Sequence, residues 1–381
     1  MSDRRFMDRA LALAATAMGT TAPNPPVGAV IVRDDAVIGE GFTQPIGGAH
    51  AEVRALGDAA ARGHDVVGAT MYVTLEPCCH HGRTPPCSQA LIRAGIGRVV
   101  VGVLDPYEKM QGRSVEELRA AGLTVDLGVE GERAAESILG FARAQRLGLP
   151  EVTAKAAISL DGRIATAGGE SQWITGEAAR VDGHRLRAHH DAILVGIGTV
   201  LADDPRLTVR LPEGVPGLDA PVPPTPVVLD TELRIPADAR LFATRTTIVL
   251  CAHDAPPRSL PGTVVRVDRG VDGHLDVTAA MRALVAHDRH RILVEGGAGV
   301  HRALIDAGLV DTLHVYVAGT ILAGGKPWIG GPALAALSQA PRFALRDVRR
   351  LDADVRLTYG LRHGHDPDAI ERLVSQAPSV R

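Results

Sequence analysis

The chain has 381 residues, too many for one ordinary hydrophobic core, so two domains are expected. A net charge of −3 with a pI near 6.6 leaves no basic field for nucleic acid or anionic membrane, and 3% aromatic content argues against stacking platforms for single strands. No run reaches the roughly 18 apolar residues of a membrane span, and the four cysteines are too few for a disulfide scaffold.

The opening stretch, MSDRRFMDRALALAATAMGTTA, has early arginines and a short apolar run, as an export signal does. Asp8 and Arg9 abut that run, and Phe6, Met7, Ala10, Leu11 and Ala14 fall at helical spacing, so a surface helix of the first domain is expected. VGAVIVRDDAVIGEGF reads as a hairpin with Asp34-Asp35 at its turn, 50–63 as a helix and 70–75 as a strand. A helix at 87–95, a strand at 98–103, a helix at 113–121, a strand at 123–127 and a helix at 130–146 follow. Such alternation predicts a layered α/β domain around a largely buried sheet. Gly148 and Pro150 mark a boundary, with domains expected at 1–147 and 151–363 and a flexible tail at 364–381.

Cys78, Cys79 and Cys87 share the stretch TLEPCCHHGRTPPC with His80 and His81, which suggests metal binding or catalysis in a reducing, cytoplasmic compartment. GGAHAE places His50 and Glu52 at a helix start, EPC places Cys78 after a strand, and PPC places Cys87 at the next helix start. One imidazole and two thiolates fit a tetrahedral zinc site with its fourth position left for water. Glu52 would shuttle a proton from that water to a leaving amine. Inside a helix, residues two apart point about 200° away from each other, but the first turn relaxes that restriction. The helix start would also favour the thiolate of Cys87, and of Cys78. Cys79 reads as a packed bystander and Cys251 as a strand-end core residue; His80 or His81 closing a purely structural site stays open as an alternative.

The second domain lacks a GxGxxG after its first strand, which argues against a Rossmann unit. VEGGAGVHRAL (294–304) is a strand, glycines and a helix start, a cradle for phosphate through backbone N–H groups; a tight strand–helix turn needs the same glycines. VGIGTVLADDP (195–205) is a second Gly-rich strand end, here expected as a turn, with Thr199 and Asp203 as polar contacts. Lys155, Arg187 and Arg210 suit a phosphate ester or, singly, surface salt bridges.

NPPVGAVIV, HAEV, YVTLEPC, HHGRTPPC, KAAISLDGRIA, SQWIT, ILVGIGTVLADDPRLTVR and VEGG together resemble the bifunctional riboflavin-pathway deaminase/reductase family, over about residues 5–362. The resemblance implies an α/β chain: an N-terminal cytidine-deaminase-like α/β/α domain and a C-terminal dihydrofolate-reductase-like domain. It implies zinc-hydroxide deamination of 2,5-diamino-6-ribosylamino-4(3H)-pyrimidinone 5′-phosphate, then NADPH reduction of the ribosyl chain to give 5-amino-6-ribitylaminouracil 5′-phosphate. By matching motif, His50, Cys78 and Cys87 would hold Zn2+, with Glu52 catalytic. Cofactor positions would be Ala157, Trp173, Thr199, Asp203, Thr231, Gly297, Ala298, Gly299, Val300, His301, Arg302 and Ala303. Substrate positions would be Asn24, Arg83, Lys155, Ser171, Arg187, Leu207, Arg210 and Glu295. A homo-oligomer, dimer or tetramer, is expected, with phosphorylated pyrimidines as ligands and neither nucleic acid nor membrane as partner.

The chain departs from the family pattern at DPYEKMQGRS (105–114), where Tyr107 and Glu108 replace Asn-Pro and Ser114 replaces a Gly. Cys79 stands where Ser is usual, and Ile138 and Leu139 stand near a common Asn. The altered loop keeps open the same two-domain chemistry on a related pyrimidine or pteridine. A nucleic-acid base deaminase is disfavoured by the acidic pI, and a non-enzymatic zinc module would leave Glu52 without a role.

Overall fold

The computed structural model describes residues 2–80, 85–108, 110–212, 222–243 and 247–361. Two compact units divide between Gly148 and Leu149.

The first unit runs α1 (Ser2–Ala17), β1 (Gly28–Arg33), β2 (Ala36–Phe42), α2 (Ala51–Ala61), β3 (Thr70–Leu75), α3 (Cys87–Ala94), β4 (Arg98–Val103), α4 (Arg113–Ala120), β5 (Thr124–Leu127), α5 (Gly131–Ser137) and α6 (Leu139–Leu147). Its sheet has the order β2-β1-β3-β4-β5, antiparallel about β1 and parallel from β3 to β5. The β1–β2 turn falls at Asp34-Asp35, both at positive φ, the twist that a tight hairpin demands. The helical stripe of α1 is buried as its spacing predicts: Phe6, Met7, Ala10, Leu11 and Ala14 are all in the core. Gly28 permits this docking, since a Cβ there would lie 1.9 Å from the Ala10 carbonyl oxygen. The single helix expected over 130–146 is two helices instead. Ile138, fully buried with φ −105° and ψ 12°, separates α5 from α6.

The second unit runs β6 (Glu151–Ile158), β7 (Arg163–Ala165), α7 (Glu177–Ala188), β8 (Ala192–Gly196), α8 (Ile197–Asp203), β9 (Thr225–Leu229), β10 (Ile248–Ala252), β11 (Thr263–Val267), α9 (Val277–Ala286), β12 (Arg291–Gly296), α10 (Ala298–Asp306), β13 (Thr312–Val317), β14 (Lys326–Pro327), β15 (Phe343–Leu351) and β16 (Asp354–Leu361). Its nine-stranded sheet has the order β11-β10-β9-β8-β12-β6-β13-β16-β15, parallel as far as β13 and antiparallel beyond it. β8, β9, β10 and β12 read as apolar runs because successive residues, which point to opposite faces, are buried alike in this parallel sheet. Asp276 starts α9, its carboxylate accepting from the N–H groups of Thr278 and Ala279. The Gly-rich turn expected after β8 is already helix: α8 begins directly at Ile197. Parallel strands bring the ends of β6, β8 and β12 to one edge, where an open α/β sheet binds ligands.

Candidate active sites

In the first unit His50 is the residue preceding α2, with φ −71° and ψ 164°. Its backbone is extended, so the helical phase that would separate it from Glu52 does not apply. Cys78 follows the end of β3, and Cys87 opens α3. The structure brings all three together: their donor atoms lie within 4.8 Å of one another. His50 Nδ1 is 3.5 Å from Cys78 Sγ and 3.4 Å from Cys87 Sγ. Zinc bonds of standard length at a tetrahedral angle would set N and S about 3.6 Å apart, so the donor set fits that ion.

The electrostatics follow from burial and from the helix start. The N–H of Cys87 donates to Cys78 Sγ at 3.3 Å, so the helix terminus serves Cys78 more directly than Cys87. The Cys78 thiol is lowered to about 4, first by its hydrogen bond with Cys87 and then by His50 and that N–H. Cys87 is pushed up by the same contact and by burial. The hydrogen bond to Cys78 raises His50. Glu52 is 4% exposed, and burial, with the Cys78 charge, pushes its carboxyl up to about 7.

Cys79 points elsewhere, 4.0 Å from Met110 Sδ, and His80 Nδ1 is 3.1 Å from the same sulfur. His80 therefore does not close the site. Cys79→Ser is expected to retain one zinc per chain after exhaustive dialysis; metal loss measured by atomic absorption would make Cys79 the ligand instead. Asn24 sits before β1, its N–H on Thr21 O and its carbonyl accepting from Thr21 Oγ1, both at 2.9 Å. Arg83 and His81 lie outside the described residues, as does the 364–381 tail. Cys251 is buried in β10.

In the second unit a cleft of about 240 Å³ lies at the edge where β6 and β12 end. Of the expected residues it is lined by Lys155, Ala157, Ser171, Trp173, Thr199, Asp203, Glu295, Gly297 and His301. Gly297 caps α10 at φ +93°, a conformation other residues rarely adopt, and leaves the helix N–H groups of Ala298, Gly299 and Val300 without intrahelical partners. His301 Nδ1 is buried and has no hydrogen-bond partner among the described residues, and Trp173 is 65% exposed with Arg180 4.7 Å over its ring. A phosphate cradle, an unsatisfied ring nitrogen and an exposed aromatic ring fit a dinucleotide.

Outside the lining, Thr231 follows β9, its carbonyl accepting from the N–H of Ala252. Ala303 lies farther along α10, and Arg302 on the same helix is ion-paired to Asp306. Arg187 is largely buried and not a surface salt bridge. Its Nε and Nη2 donate to Glu295 at 2.8 and 2.5 Å, and its Nη1 donates to Thr208 O at 2.7 Å. Leu207 is buried at φ 49°, and the exposed Arg210 is held through its N–H to His184 Nδ1 at 3.2 Å. Burial lowers His184 to about 4, with Arg187 and Arg210 adding to the effect. Burial also lowers Lys155, Glu295 opposing it.

Sequence reasoning missed Trp328, Arg180 and Gln172, which also line the cleft, and His184. Trp328 had a signal: the chain has only two tryptophans, and both face this cleft.

The fold and the two sites define a zinc-dependent deaminase domain joined in one chain to a nucleotide-dependent reductase domain. Residues 1–103 match the cytidine and deoxycytidylate deaminase zinc-binding region, and 150–357 match the RibD C-terminal domain. The chain is 42% identical to the riboflavin biosynthesis protein RibD of Escherichia coli over 365 residues, 94% of this chain and 99% of that one. The RibD of Bacillus amyloliquefaciens is 37% identical over 374 residues, covering 96% and 98%. Among solved structures, Acinetobacter baumannii RibD aligns with a TM-score of 0.84 and 38% identity, over 94% of this chain and 98% of that one. The Thermotoga maritima diaminohydroxyphosphoribosylaminopyrimidine deaminase/5-amino-6-(5-phosphoribosylamino)uracil reductase aligns with a TM-score of 0.84 and 35% identity, covering 94% and 99%. The chain belongs to the bifunctional riboflavin-biosynthesis deaminase/reductase family. It is a two-activity enzyme with zinc and NADPH as its cofactors.

Proposed function

We propose that the first domain removes the 2-amino group of 2,5-diamino-6-ribosylamino-4(3H)-pyrimidinone 5′-phosphate and that the second reduces the ribosyl chain of the product to ribityl. The observation that carries the deaminase assignment is the convergence of His50, Cys78 and Cys87 donor atoms within 4.8 Å, beside a buried Glu52. His50, Cys78 and Cys87 would hold the zinc, which supplies a Lewis acid that acidifies water. Glu52 takes the proton of the attacking water and returns it to the leaving nitrogen, so ammonia departs neutral. Its burial keeps the carboxyl near neutrality in proton affinity, as a group that must both accept and donate requires.

In the reductase, residues 297–300 would take the phosphates of NADPH, and Trp173 and His301 its ring system. NADPH supplies the hydride. Glu295, fixed by Arg187, accepts from ribosyl hydroxyls, while Lys155 and Arg210 offer positive charge to the phosphate end. Four free cysteines suit a reducing compartment, and the reading carries with it a cytoplasmic homo-oligomer, dimer or tetramer.

Purified protein incubated with the diaminopyrimidine ribosyl phosphate tests this directly. Without NADPH, mass spectrometry is expected to show an amino group exchanged for a carbonyl oxygen, with ammonia released. With NADPH, the product gains two further hydrogens. Unchanged substrate in both reactions, from zinc-loaded protein, would overturn the reading.

A further inference from the structure

β3 and β4 are parallel neighbours, with Leu75 opposite Val103, so both strands release the chain at one edge. β3 continues into Glu76-Pro77-Cys78, and β4 continues toward the stretch 105–114, where the sequence departs from its family. Glu76 is 3% exposed, and its N–H donates to Val103 O at 2.9 Å. Its carboxylate receives four hydrogen bonds from that stretch. Oε2 accepts from the N–H groups of Asp105 (3.0 Å) and Gly112 (2.9 Å). Oε1 accepts from the N–H (3.1 Å) and the hydroxyl (2.9 Å) of Ser114. One anion thus ties both ends of the stretch to the segment that presents Cys78. Hydrogen bonds to an ionised acceptor are about twice as strong as neutral ones.

Between these ties Met110 turns back toward the site. It is 2% exposed, with its sulfur 3.1 Å from His80 Nδ1 and 4.0 Å from Cys79 Sγ. The described residues 105–108 and 110–114 therefore form a wall against Cys79 and His80, the residues that follow Cys78.

We propose that Glu76 is a positioning residue for deamination: its carboxylate sets Asp105, Met110, Gly112 and Ser114 as the substrate-seating wall of the first site. The proposal rests on the assignment of His50, Glu52, Cys78 and Cys87 as the deaminase centre. Glu76 touches no reacting atom and no metal ligand in the contacts above, so its effect falls on how the pyrimidine is seated. The Ser114 hydroxyl contributes a side-chain bond to this wall beside the backbone ones.

The test uses the full chain and follows zinc content, ammonia release, and NADPH oxidation on supplied deaminated substrate. Glu76→Gln turns one acceptor into a donor facing backbone N–H groups. It is expected to raise the deaminase KM about 10-fold, with kcat changed less than about 3-fold. Zinc should stay at one per chain, and NADPH turnover should not change. Ser114→Ala, which removes only the hydroxyl, is expected to raise the same KM about 3-fold. It decides the question if Glu76→Gln does not yield folded protein. An unchanged deaminase KM, loss of zinc, or a parallel fall of both activities would overturn the proposal. Full ammonia release by Glu52→Gln in the same assay would overturn the underlying centre, a result that Glu76→Gln alone cannot produce.

Discussion

Glu52→Gln is expected to lower ammonia release by roughly 10²–10⁴-fold, the range over which a positioned general acid–base acts. Zinc content and NADPH turnover should stay at their starting values. Glutamine has the same shape and fills the same buried place at the start of α2, so packing is not disturbed. What it lacks is a proton it can take and give back. The neighbours of Glu52, namely Cys78, His50 and Cys87, are the three residues whose donor atoms converge, and the variant alters none of them, so it separates proton transfer from ligation. The two activities in one chain supply the control: steady-state NADPH oxidation on deaminated substrate reports whether the protein is folded. If ammonia release persisted within a few-fold, Glu52 would not be the proton shuttle. If NADPH oxidation vanished as well in folded protein, the two-site description would fail.

The parts of this molecule that could be read from sequence are those set by short-range pattern and by residue types with few uses. β3 and β4 fall where expected because their apolar runs are bounded by turn residues, and α1 because its buried stripe has helical period. The convergence of His50, Cys78 and Cys87 was legible because a histidine at a helix start, a cysteine after a strand and a cysteine at the next helix start have few alternatives. The break at Ile138 carries no proline or glycine at that residue, and only its burial against the sheet marks it. The pairing of Arg187 with Glu295 joins residues 108 positions apart, and the bonds on Glu76 span 29 to 38 positions. Neither leaves a local trace, because the sheet topology alone brings these groups together. The consequence is functional: an arginine that suited a phosphate by type is engaged within the protein, and a glutamate that suited only a strand end organises a loop.

Glu295→Ala is expected to abolish reductase turnover and to destabilise the second domain by about 3–5 kcal/mol, the cost of breaking one side of a buried pair. Glu295 lies at the end of β12 with its side chain 9% exposed, doubly bonded to the largely buried Arg187 and beside Lys155. Burial pushes its carboxyl up, but the charge and hydrogen bonds of Arg187, with Lys155, outweigh this and hold it at about 2. Because that value lies below the ordinary 4.5, the stabilisation is fully present above about pH 4.5 and is lost as pH falls through about 2. Removing the carboxylate leaves Arg187 and Lys155 as uncompensated cations and frees Arg187 to pull on Thr208, and with it the segment that ends in Arg210. Two effects therefore coincide in one variant: a hydroxyl acceptor is lost from the cleft, and the support of the phosphate end is loosened. The double variant Arg187→Ala/Glu295→Ala separates them. With both charges gone it should recover part of the stability lost by either single variant in urea titrations, yet regain no turnover. A Glu295→Ala protein within about 1 kcal/mol of the parent would mean that the pair is solvated and not a buried link. Recovery of turnover in the double variant would mean that Glu295 acts only by neutralising Arg187, not by accepting from the substrate.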